Sequence, residues 1–219
     1  MERKFIFSIG EFYHIYNRGT EKRNIFVDRN DYQRFIKLLF FSNSTKPVVL
    51  RDIPQGRPLG EINEGEPIVA IGAYCLMPNH FHLLVKETSE GGITKFMSKL
   101  STAYSMFFNK KNNRTGSLFE GKFKASHVDN DNYLKYLFSY IHLNPVKIIE
   151  LKWKETGIKN KKRAEQYLKN YKYSSYLDYL EESRSERVIL DKKSFPEYFT
   201  SFVDFKNFIN DWLNFKAEF

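Results

Sequence analysis

At 219 residues and 42% hydrophobic content the chain is long enough to bury a sizeable core, which excludes full disorder, and a net charge of +9 with a pI near 9.4 points to a polyanionic partner. Its one cysteine, Cys75, excludes an intrachain disulfide and gives no sign of an oxidising compartment. No apolar run approaches the roughly 20 residues that span a bilayer, and that of MERKFIFSIGEFYH is too short for a signal peptide, so a soluble cytoplasmic protein with no membrane partner is expected.

The segment YHIYNRGT, 13–20, mixes β-branched and aromatic residues and reads as a first strand ending at Gly19. In 28–42, Phe35, Leu38, Leu39 and Phe40 recur at near-helical spacing behind Asp28 or Asn30 as a cap. Between Ser44 and Pro67 the pattern dissolves, and four of the seven prolines fall there, which predicts a surface insertion over 44–67. PIVAIGAYCLM and HFHLLVKE then read as two strands joined at Met77, Pro78 and Asn79. GGITKFMSKLSTAYSMFFNKKN reads as a helix, with Phe96, Leu100, Tyr104 and Phe107 or Phe108 along one stripe. NRTGSLFEGKFKASHVD reads as a turn and a strand, and NDNYLKYLFSYIHLNP as a helix stopping near Pro145.

The order β, α, β, β, α, β, α predicts an α+β, ferredoxin-like fold: a split βαβ antiparallel sheet with helices on one face, plus an added helix. Two parts are expected, a domain over 1–150 and a basic helical C-terminal extension over 151–219 packed on it. Residues 152–172 carry eight basic and two acidic residues, and YKYSSY follows from 171. Phe202, Phe205, Ile209 and Trp212 mark one face of a last amphipathic helix.

Strand alternation puts His80, His82, Leu84 and Lys86 on one face and Phe81, Leu83 and Val85, an apolar core face, on the other. At that spacing both imidazoles can reach one ion, although two histidines with ordinary hydrogen bonds explain the pair equally well. Tyr140 and Asn144, four residues apart, share one face of their helix. A tyrosine helped toward phenolate is a nucleophile. An Asn carbonyl oxygen is a neutral hard ligand suited to Mg²⁺ or Mn²⁺ beside imidazole nitrogen. The combination suits metal-assisted phosphoryl transfer, provided strand and helix meet.

YHIYNRG, YCLMPNHFHLLV, LFEGKFKASHV, YLFSYIHLNPVK and YKYSSY, in that order from about residue 12 to about residue 177, resemble the HUH single-tyrosine transposases, specifically the REP-associated tyrosine transposase branch. The resemblance implies a ferredoxin-like fold and a His80, Phe81, His82 metal motif, with Tyr140 as nucleophile and Asn144 completing the metal site. It implies cleavage of single-stranded DNA beside hairpins of repeated palindromic elements through a 5′-phosphotyrosine, and strand transfer without ATP. Glu120 and Lys122 stand where relatives often carry Gln and Arg, and Lys acts only as a point charge.

Arg18, Lys110, Lys111, Arg114, Lys122 and Lys124 flank the expected site and are the candidates for DNA backbone contacts. The 159–172 cluster is a candidate grip on a hairpin stem, with Tyr171, Tyr173 or Tyr176 stacking on bases or packing internally. His14 is expected in a structural or DNA-contacting role and His142 in a structural or exposed one; His127 stays open. A monomer is expected, with a dimer as the alternative. The rival functions are a non-catalytic single-stranded nucleic-acid-binding protein and a metal-dependent hydrolase in which water attacks.

Overall fold

The computed structural model describes residues 6–47, 59–61, 65–180 and 183–214, so most of the 44–67 insertion lies outside the described residues. β1 (Phe12–Arg18), β2 (Val69–Met77), β3 (His80–Glu87) and β4 (Lys124–Val128) form an antiparallel sheet in the order β2, β3, β1, β4. With α1 (Arg29–Ser42) after β1 and α2 (Gly92–Lys111) after β3, this is the ferredoxin-like arrangement the element order predicts.

The helices begin where local chemistry starts them. Asp28 caps α1 by accepting from the amides of Asn30 and Asp31, while Asp31 accepts from the Asp28 amide in return. α2 follows Gly91, whose φ of 67° suits glycine, and buried Glu87 accepts the Ile93 amide at 2.7 Å in its first turn. Lys111 at the other end of α2 pairs with Asp28 and Asp31 at 2.7 and 2.6 Å, tying the two helices together.

Both faces of the sheet are covered. Phe35, Leu38, Phe96 and Leu100 from α1 and α2 bury Ile15, Phe81, Leu83 and Val85 on one face. The other carries α3 (Asp131–Leu143), followed by α4 (Val146–Ile149), α5 (Trp153–Thr156), α6 (Lys161–Asn170), α7 (Tyr176–Tyr179) and α8 (Phe202–Asn214). There Leu137, Phe138, Ile141, Phe205 and Ile209 pack with Ala73, Cys75 and Leu84. In α8 the buried stripe is Phe205, Ile209 and Leu213, whereas Phe202 is exposed. Among the described residues, no helix is long and apolar enough to cross a membrane.

The YKYSSY stretch extends the sheet. Leu76 N–H donates to the Tyr173 carbonyl and Ser175 N–H to the Tyr74 carbonyl, so this segment covers the open edge of β2. Its tyrosines pack internally: Tyr171 and Tyr176 are buried, and Tyr173 stacks on Tyr32 with ring centroids 3.8 Å apart. They are therefore not available to stack on bases.

At Gly72, where the β2 register shifts, the sheet makes room for the buried Phe195 ring; a Cβ there would lie 2.6 Å from it. Gly72→Ala is expected to lower unfolding free energy by about 1–3 kcal/mol, measured by urea denaturation, because neither the strand nor the packed ring has space to yield.

Candidate active site

The strand register assembles the site. Tyr16 lies opposite His82 and Arg18 opposite His80 across β1 and β3, with Cys75 and Met77 opposite the two histidines from β2. Phe81, Leu83 and Val85 face away, into the α1 and α2 layer, as alternation requires. α3 crosses the histidine face and sets the Tyr140 ring 5.3 Å from the His82 ring, edge to face. His80 and His82 lie 5.0 Å apart by ring centroids. Asn144 N–H donates to the Tyr140 carbonyl at 3.1 Å and its Nδ2 to the same oxygen at 2.8 Å, keeping it beside the tyrosine at the end of the helix. His80, His82 and Tyr140 thus lie in a chain of ring contacts, with Asn144 bonded to the backbone of Tyr140.

His14 joins them. Its Nε2 is 2.9 Å from His82 Nδ1, and its ring lies 5.9 Å from Tyr140. His80 Nδ1 donates to Asn79 Oδ1 at 2.6 Å. When His82 Nδ1 likewise donates to His14, both ligand candidates keep Nε2 as a lone-pair nitrogen, the arrangement in which imidazoles hold metals. Burial, reinforced by Lys154, pushes His14 down to about 4. Burial, Lys147, Arg18 and Lys154 push His80 down to about 4 as well. His82 is held well below its ordinary value by burial and then by its histidine neighbours. The imidazoles are therefore neutral at pH 7, the protonation state a cation needs. Among the described residues no three His, Cys, Asp or Glu side chains converge as a metal cluster.

Burial raises the Tyr140 phenol above its ordinary range, against a hydrogen bond from Asn144 and the charge of Lys147. Lys154 Nζ lies 3.9 Å above the Tyr140 ring. Neither lysine stood out in the sequence, because each follows α3 among many basic residues.

The predicted DNA contacts divide by face. Arg18 and Lys124 share the histidine face; Arg18 makes a bidentate pair with Glu120 at 2.9 and 3.0 Å, while Lys124 and Lys122 are exposed. Lys110 and Lys111 end α2, and Arg114 follows it, in the layer across the sheet. Lys111 is spent on Asp28 and Asp31, which argues against the phosphate contact expected of it. Arg114 donates to Asn109 Oδ1, and Lys110 is exposed. His127 pairs with Glu11 at 2.8 Å on the surface. His142 is structural: fully buried, it bonds the Phe138 carbonyl and Ser175 Oγ, each at 2.8 Å.

A tyrosine beside a histidine pair on a ferredoxin-like sheet defines a site suited to phosphoryl transfer. Residues 63–144 match the family model described as "Transposase IS200 like", a span that contains His80, His82 and Tyr140 and ends on Asn144. The matched segment is thus similar to the IS200-like transposases over rather more than a third of the chain. One similar solved structure is described as a REP-associated tyrosine transposase bound to a REP hairpin, at 14% identity and a TM-score of 0.48, covering 81% of this chain and 83% of that one. No curated protein matches the chain.

His14→Phe, which keeps a ring but removes the bond to His82, is expected to weaken Mn²⁺ binding by about 10–100-fold in calorimetric titration. His142 gives a pH signature in stability. Burial holds it at about 3 in the folded chain against 6.5 unfolded, so its contribution is complete above pH 6.5 and is lost as pH falls toward 3. The unfolding free energy from urea denaturation is expected to drop over that window by on the order of a few kcal/mol, and to drop less in His142→Gln.

Proposed function

We propose that the chain is a divalent-metal-dependent single-tyrosine DNA endonuclease and strand transferase acting on single-stranded DNA beside hairpins. One observation carries the reading: a single chain sets the Tyr140 ring 5.3 Å from His82, inside the segment that matches the transposase family. Such a site is complete without a second copy, which favours a monomer.

In this reading His80, His82 and Asn144 hold Mg²⁺ or Mn²⁺, which when bound polarises the scissile phosphate. Tyr140 Oη forms a bond to phosphorus as the bond to the 3′ oxygen breaks. The phenol gives up its proton and the departing 3′ oxygen takes one, so the products are a 5′-phosphotyrosine and a free 3′ hydroxyl. Because one phosphodiester replaces another, a second 3′ end can reverse the exchange without an energy source. Burial keeps the phenol protonated at rest, and Asn144 and Lys147 ease the loss of that proton. Repeated palindromic elements are the proposed substrates. Arg18, Lys122 and Lys124, on or beside the histidine face, are better placed for the backbone than the α2 cations.

Labelled single-stranded hairpins from the flanking genomic sequence, incubated with protein and Mn²⁺ and run on a denaturing gel, test this. The expected result is a protein-sized shift of the label that disappears in Tyr140→Phe, in His80→Ala/His82→Ala and after chelation. Cleavage that persists in Tyr140→Phe would make water the nucleophile, and binding without cleavage would favour a non-catalytic module.

A further inference from the structure

Lys154 is a cation whose sequence neighbour Glu155 acts on it through charge without an ion pair. It stands on α5, after the helix that bears Tyr140, and no carboxylate among the described residues pairs with it. The residue as a whole is exposed, yet its ammonium is partly desolvated and rests over the face of the Tyr140 ring, 3.9 Å from the centroid. Its charge acts on His14, His80 and His82, so it lies within electrostatic reach of all three. The preceding residue adds a second unsatisfied donor: Trp153 Nε1 is buried and has no acceptor.

We infer that Lys154 is a catalytic residue: its ammonium receives the non-bridging oxygens of the scissile phosphate, so a segment outside the family match supplies part of the site. This rests on the proposed tyrosine chemistry. Several features favour an anion over a purely packing role. The ammonium lies over the ring and makes no hydrogen bond to the phenol oxygen, so it keeps donors for a ligand approaching Oη. The other charge near the phenol, Lys147, is also positive. Arg18 is closer to charge balance through Glu120. As Oη bonds to phosphorus, negative charge grows on the phosphoryl oxygens beside this ammonium, the place where a fixed cation lowers a barrier.

The test uses the full chain with Lys154→Met, which keeps the apolar stem, Lys154→Arg, which keeps the charge, and exposed Lys152→Met as a control. Inorganic phosphate is titrated while the Tyr140 ring resonances are followed by NMR. Shifts are expected in wild type, Lys154→Arg and Lys152→Met and not in Lys154→Met, with unfolding midpoints unchanged throughout. On hairpin DNA, formation of the covalent adduct is expected to slow on the order of 10²-fold in Lys154→Met and to recover partly in Lys154→Arg. Equal phosphate response and equal adduct rates in Lys154→Met and Lys152→Met would overturn the assignment. If no adduct forms even in wild type, the tyrosine reading fails, while the phosphate titration still decides whether Lys154 is an anion site.

Discussion

β3 is buried on both faces, and most of the architecture follows from how it meets that constraint. Its odd positions, Phe81, Leu83 and Val85, are apolar and enter the α1 and α2 layer, while its even positions include His80 and His82. Imidazoles removed from water need partners, and each has one through Nδ1: Asn79 for His80 and His14 for His82. The bonds that satisfy burial also decide which nitrogen remains open. Core packing and site chemistry are thus two faces of one strand, and a one-residue slip in register would exchange them.

The layer over the histidine face is held by polar pins as much as by apolar contact. Ser175 Oγ accepts from the Tyr74 amide and bonds His142 Nε2, so one hydroxyl joins β2 to α3, the helix that carries Tyr140. Tyr171 Oη and Tyr179 Oη donate to the carbonyls of Leu76 and Gly72 on the same strand. These bonds give the helix that carries Tyr140 a fixed footing against the sheet. The tyrosines of YKYSSY serve this purpose, which explains why they are unavailable for stacking on nucleic acid.

Much of the fold was legible because its signals are local. The periodicity of 92–111, the alternation of 80–87 and the Asp28 cap each identify an element without reference to the rest of the chain. Tyr140 and Asn144 were paired by helical spacing alone, and the pairing needed only α3 to form. What stayed hidden depends on register and docking. Nothing in YHIYNRG indicates that His14 will meet His82, since that follows from the pairing of β1 with β3. The charge of Lys111 reads as a surface cation until α1 brings Asp28 and Asp31 to it, and Glu120 reads as a mere departure until Arg18 folds onto it. Lys154 sits in a run of lysines that differ only in what lies beneath them.

Cys75 lies fully buried on the histidine face, paired with His82 on one side and Ser174 on the other. Burial also pushes its thiol well above the usual range, so the folded chain presents neither access nor thiolate. An alkylating reagent can reach this sulfur only when the covering layer lifts from the sheet. As the chain's single thiol, it makes the rate of labelling a clock for that lifting, placed within one side chain of the site whose opening it would time.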